Sequence, residues 1–415
     1  MMHGPAADFD PRPYIAETKR RLRERQDVAA SLAGLTDRVR RDIDAVLDQI
    51  AKGGTGIPEM PYASIADGTV SDAQRDAIRR TGCVIIRGVF PRAQAEAWNR
   101  ELGDYIESND YYTRAKAKAG LDKYFSDLKD AVPQIFGLYW SKPQVMARQA
   151  ESMAETKRFL NRLWDVTGPM GDEFDPDFDY AYADRTRRRQ PGDTTLGLSP
   201  HMDAGSYERW VDPAFQAVYQ AVFDGDWQHY DPWRARHRTQ TREFASPAVA
   251  SMFRSFQGWT GLTEQGPGGG TLRLVPTMLS MPYMLLRALQ DDVAEDDLCG
   301  AAPGRALGAN EAFHGELLRG ITTIPTVNPG DTVWWHTDVI HAVESANTSQ
   351  NWANVIYIGA SPACPKNRAY ALRQAQAFLQ GRSAPDFAPE DYEVDFVGRA
   401  TIDDLTPLGR RQMGL

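Results

Sequence analysis

The triplet His201-Met202-Asp203, answered far downstream by His341, constrains this chain more than any other feature. Two histidines and one carboxylate form the ligand set of the facial triad that holds non-haem Fe(II) and leaves coordination positions open. Residues two apart on a strand point to one face, so His201 and Asp203 can reach one ion from a single strand. His341 must then arrive from a distant strand, which requires a sheet that folds over on itself. The competing reading is three unrelated polar residues beside turns. Context favours the metal. Gly192-Asp193 and Ser199-Pro200 precede His201, and Ala204-Gly205 follow Asp203, as suits a strand end at the mouth of a cavity. His341 follows an aromatic-rich segment opened by Pro329-Gly330-Asp331.

Another H-x-D pair, His336-Thr337-Asp338, stands just before His341. Three ligands so close would have to curl round one ion, with His341 on the opposite strand parity. That arrangement is the less natural of the two. His229 and His237 flank a Trp- and Arg-rich segment, His314 stands alone, and His3 lies near the N-terminus. Core or surface roles are the default for these. No G-x-S-x-G motif, no GxGxxG and no P-loop follows a strand, and nothing local would activate a cysteine.

The chain has 415 residues, 42% of them hydrophobic, enough for a sizeable core. A net charge of −9 argues against general affinity for nucleic acid or an anionic membrane surface. Cys83, Cys299 and Cys364 are isolated from one another, which suggests buried thiols in a reducing compartment. No apolar run approaches the roughly 20 residues that span a bilayer. The expectation is a cytoplasmic protein with a small-molecule substrate and no nucleic-acid or membrane partner.

Residues 1–13 read as a loose arm. Leu32, Leu35, Val39, Ile43, Val46, Leu47 and Ile50 recur mostly at three- and four-residue steps, so 14–55 reads as a helical extension stopped by Gly53-Gly54. Ser71 to Leu102 predicts helix, strand, helix, with Ser71 as cap and Pro91 opening the second helix. Residues 145–165 predict one amphipathic helix. Thr332–Trp335 and Val355–Ile358 are the clearest strands. Short strands, Gly-rich turns and peripheral helices favour an α+β chain built on a sandwich or barrel over a doubly wound sheet.

Several motifs are familiar. Arg79 to Ala95, with Gly82-Cys-Val-Ile-Ile-Arg-Gly-Val-Phe90 at its centre, resembles the opening helix–strand–helix of phytanoyl-CoA-dioxygenase-type enzymes. Gly268-Gly-Gly-Thr-Leu-Arg-Leu-Val-Pro276 and the run from Pro329 to Val343 are similar to later strands of that superfamily. Tyr139–Gln144, Ala183–Asp193, Pro200–Trp210, Tyr230–Trp233 and Phe396–Arg399 narrow the likeness to a YbiU-like branch. The resemblance covers nearly the whole chain. It implies a double-stranded β-helix (jelly-roll, cupin-like) core with flanking helices, an oxygenase domain over 56–415, and Fe(II)/2-oxoglutarate-dependent oxygenase chemistry with O2. It also favours His341 over His336 as the distal ligand, and the presence of Asp203 disfavours halogenation.

One departure matters. Such enzymes place an arginine after the distal histidine to pair with the far carboxylate of 2-oxoglutarate, and the matching position holds Trp352. A guanidinium presents the planar fork that a carboxylate prefers, so Arg187, Arg189 and Arg273 are the expected replacements. Trp140, Arg148, Tyr207, Arg209 and Trp210 are expected to line the substrate cavity, where a basic lining would suit an anionic metabolite.

Overall fold

Capping chemistry sets the first strand of the core. Ser71 and Gln74 form a reciprocal capping box at the start of helix Asp72–Thr81, and Gly82 ends it in the left-handed region at φ 71°. The strand Cys83–Arg87 follows, and Gly88 at φ 69° turns the chain before helix Arg92–Ser108. In this computed structural model, residues 10–118, 134–194, 198–242 and 250–415 are described. Most of the expected arm, His3 included, lies outside them.

Two sheets dominate. The larger has seven strands in the order Glu59–Pro61, Cys83–Arg87, Thr332–His336, Phe256–Gly261, Ala353–Ala360, Thr186–Arg189 and Ile135–Phe136. Its first pair is parallel and the rest are antiparallel. The central strand Phe256–Gly261 is buried along its whole length. Its Gly258 admits the ring of Trp334, which a Cβ there would strike. The smaller sheet is antiparallel, in the order Ala306–Gly308, His201–Ser206, His341–Val343, Leu272–Leu274 and Thr322–Thr323. A solvent-open cavity is lined by residues of both sheets.

Two expected single helices are each broken in two. The N-terminal run divides into Arg12–Arg23 and Val28–Ala51, because Asp27 leaves helical geometry to cap Ala30 N–H with its side chain. Residues 142–161 divide into Lys142–Gln149 and Glu151–Asn161 at Ala150, whose ψ is 140°. The N-terminal helices bury Ile15, Leu22, Leu35, Val39 and Ile43 in an apolar cluster with Met202, Met281, Leu285, Leu317 and Ile340. They are thus part of the body behind the smaller sheet. Met202 shows the strand alternation at work: it enters that cluster while His201 and Asp203 face the cavity.

Candidate metal centre and its cavity

Strand register brings the three residues together. His201 and His341 are direct antiparallel partners, so their imidazoles lie side by side with ring centroids 4.2 Å apart. Asp203, two residues along, shares their face. One donor atom from each of the three falls within 4.8 Å of the others. His201 Nδ1 is 2.6 Å from Ser199 O, and His341 Nδ1 is 3.4 Å from Val339 O. With the N–H on Nδ1 in both rings, each Nε2 lone pair is turned toward Asp203, at 3.5 Å from Oδ1 and 3.9 Å from Oδ2 respectively. Burial pushes His341 down to about 3, which keeps its imidazole neutral. Burial alone would raise Asp203, but the imidazoles when protonated, together with Arg254 and the Gln257 amide, outweigh it and hold the carboxyl below the usual carboxylate range. Two imidazoles and a carboxylate facing one point suit a divalent first-row metal.

The rival pair is committed elsewhere. His336 stacks on Trp164 at 4.6 Å and 17°, and its Nδ1 accepts the Asp338 N–H at 3.0 Å. The Asp338 carboxylate accepts from Tyr219 and Tyr230 hydroxyls at 2.9 Å each and pairs with both terminal nitrogens of Arg238. Both side chains are fully buried.

The candidate carboxylate-binding arginines part company. Arg187 and Arg189 share one face of Thr186–Arg189. Arg189 is wholly buried and spent: it bonds Asp193, Gly270 O, Glu344 O and Ser345 O. Arg187 lines the cavity directly opposite Val355, and one terminal nitrogen donates to Gly270 O at 2.7 Å. Among the described residues it has no ion-pair partner. Arg273 is half-buried between Leu272, which faces the cavity, and Leu274, and does not line it. Trp352 sits at the surface, 38% exposed, with Arg188 over its ring.

The five residues expected around the substrate do not gather at the cavity. Trp140 is packed on Phe378 in a C-terminal cluster, its indole N–H on Arg382 O. Arg148 is buried beneath the wall, bonding Tyr139 O and Asp184 O at 2.6 Å each. Tyr207 and Trp210 belong to the cluster behind the smaller sheet, with the Tyr207 hydroxyl on Asp296 O. Arg209 holds Ala204 O and lines a smaller cavity that shares Asp203 and Arg254 with the main one.

Other residues take those places. Gln257 donates its amide to Asp203 Oδ2, and Arg254 stands 3.7 Å from the same oxygen. Tyr182, Asp184, Arg185, Asp386 and Phe387 complete a polar and aromatic wall. Gln257 left a trace in the sequence as the one amide inside the apolar run Phe256–Trp259.

Comparison with known proteins agrees with this architecture. A Gig2-like family profile matches residues 10–415. YbiU of Escherichia coli (strain K12), an uncharacterised protein, is 42% identical over 409 residues, covering 98% of this chain and 97% of that one. A Salmonella typhimurium LT2 protein whose structure is described as that of a candidate oxidoreductase is 42% identical with a TM-score of 0.93, covering 99% and 98% of the two chains. GIG2 (DUF1479) of Candida albicans, the product of a GlcNAc-inducible gene, is 27% identical with a TM-score of 0.81 and coverage of 100% and 90%. None of these relatives is named a phytanoyl-CoA dioxygenase, and the likeness they carry is to the branch that YbiU represents. The chain belongs to the Gig2-like family.

Proposed function

We propose that this protein is a non-haem Fe(II)/2-oxoglutarate-dependent oxygenase that hydroxylates a small molecule, on a double-stranded β-helix core spanning the two sheets. The observation that carries the reading is the meeting of His201, Asp203 and His341 donor atoms within 4.8 Å, at the wall of an open cavity. Bound Fe(II) supplies O2 activation. In the overall reaction a substrate C–H, O2 and 2-oxoglutarate become C–OH, succinate and CO2, the keto acid giving the electrons that balance the second oxygen atom.

The chain's own work is to bind and orient. His201, Asp203 and His341 hold the metal, and the Gln257 amide fixes which carboxylate oxygen faces it. Arg187 takes the far carboxylate of 2-oxoglutarate. The reason lies in register: the arginine expected on the strand after His341 is absent, and Arg187 is the cross-strand partner of Val355 on that strand. Val355 and Arg187 both face the cavity, so this guanidinium reaches into it from the strand beside the one that follows His341, whereas position 352 itself faces outward. Burial pushes Arg187 below its ordinary value, and a dicarboxylate would restore a partner to its charge. Leu272, Val355 and Ile358 line the cavity with apolar surface that excludes water. The three cysteines are free and buried, in keeping with a reducing cytoplasm, and no helix among the described residues is long and apolar enough to cross a membrane.

The test is anaerobic addition of Fe(II) and 2-oxoglutarate to the metal-free protein. A weak metal-to-ligand charge-transfer band in the visible that needs both additions is the expected result. Iron binding without the band would overturn the cosubstrate and leave metal chemistry that does not use 2-oxoglutarate.

A further inference from the structure

The cavity holds a second guanidinium that the cosubstrate does not account for. Arg254 precedes the central strand and lines the cavity with its side chain 13% exposed. Its nearest carboxylate oxygen, Asp203 Oδ2, is 3.7 Å away, beyond hydrogen-bond distance. The Tyr182 ring lies 5.3 Å from the guanidinium carbon, and the Asp184 and Asp386 carboxylates act on the guanidinium only from beyond ion-pair distance. Five N–H donors therefore stand at the cavity wall with no acceptor among the described residues. Leaving a buried charge in that state is costly, and an anionic ligand relieves the cost.

Two arginines with unused donors imply two anionic ligands. Arg187 is joined through Gly270 to the smaller sheet's Gly-rich turn, whereas Arg254 abuts a metal ligand. A five-carbon keto diacid that chelates a metal at one end carries its other carboxylate well away from the metal's ligands. Arg187 meets that requirement and Arg254 does not. The group on Arg254 belongs instead to a molecule whose reacting carbon must lie beside the metal, which is the substrate.

We infer that the substrate is a small organic carboxylate, its anionic group seated on Arg254 and its carbon frame against Tyr182 and Phe387. The seat is rigid. The Tyr182 hydroxyl donates to Asp386 at 2.9 Å, which fixes the ring under the guanidinium, and the Phe387 ring lies 6.0 Å from the Tyr182 ring. This substrate class rests on the oxygenase reading above.

The test uses the full-length protein with Fe(II) and 2-oxoglutarate, held anaerobically. Acetate, butyrate and benzoate are titrated against acetamide, butyramide and benzamide while the charge-transfer band is followed. At least one carboxylate is expected to shift the band at a concentration tenfold or more below that of its amide. Arg254→Gln is expected to lose the preference and Arg254→Lys to keep part of it. Equal responses to acid and amide, or a preference that survives in Arg254→Gln, would overturn the proposal. So would loss of the band in place of a shift, since that marks competition for the cosubstrate's own seat. Absence of the band before any carboxylate is added is a separate result: it removes the cosubstrate reading, and the proposal with it.

Discussion

The chain contains the H-x-D spacing at His201, His229 and His336, and the first and last copies meet opposite fates. At His201-Met-Asp203 both side chains face a cavity, the imidazole Nδ1 atoms of His201 and His341 rest on backbone carbonyls, and their Nε2 atoms face Asp203. At His336-Thr-Asp338 the ring is stacked on Trp164 and the carboxylate is saturated by Tyr219, Tyr230 and Arg238. Spacing determines which residues can share a ligand; the surrounding donors determine whether any ligand is needed. A carboxylate already holding two hydroxyls and a guanidinium has nothing left for a metal.

Truncating each aspartate should separate the two fates most sharply. Asp203→Ala should weaken Fe(II) binding by about a thousandfold or more, beyond the roughly 10–100-fold cost of losing an outer partner. Its melting temperature without metal should stay close to that of the wild type, since Arg254 is only loosely paired with it. Asp338→Ala should do the reverse. It strands the fully buried Arg238 charge, at a cost of about 3–5 kcal/mol, while any protein that remains folded binds one Fe(II) as before. Calorimetry and iron titration on both variants check the pair. Equal losses of iron binding would mean that the two sites are not independent.

The same contrast explains what could be read in advance. The convergence of His201, Asp203 and His341 was legible because strand parity is a local property and the flanking turns mark the strand ends. The Ser71 cap, Gly82 and the strand after them were legible for the same reason: each rests on neighbours within four residues. The breaks at Asp27 and Ala150 were not, because periodicity continues across them while the backbone turns. Trp140, Arg148, Tyr207 and Trp210 are aromatic or basic near a motif, which is all that points them to the cavity. They serve long-range packing instead: Glu393, some 250 residues away, accepts the backbone N–H groups of Tyr139 and Trp140. Arg254 and Gln257 stood outside every motif, and only the sheet brings them to Asp203.

Arg187 and Arg189 repeat the lesson on one strand. Arg187→Gln should raise the 2-oxoglutarate Kd about 10–150-fold, the effect of removing one charge-assisted bond worth roughly 1.5–3 kcal/mol, with little change in stability. Arg189→Gln should instead lower stability, because Asp193 and three carbonyls lose their donor. Titrating the charge-transfer band in both variants is the check. If Arg189→Gln proves the more damaging to 2-oxoglutarate affinity in a folded protein, the assignment of the two must be exchanged.

The smallest effect tests whether the centre depends on support beyond its three ligands. Gln257 is buried on the central strand, and its amide is held against Asp203 Oδ2. Leucine there keeps the apolar packing of the strand but removes the donor, leaving Arg254 at 3.7 Å as the nearest arginine to that oxygen among the described residues. An aspartate free to turn presents the wrong oxygen for part of the time, so Fe(II) affinity should fall about tenfold, the lower end of the range for such partners. Gln257→Glu should weaken binding in another way, because a second carboxylate beside Asp203 raises the pKa of the pair. Its loss should shrink as the pH is lowered and the introduced carboxyl takes up a proton to donate again, whereas the leucine variant cannot recover. Identical, pH-independent affinities for the wild type and both variants would show that register alone holds Asp203 in place.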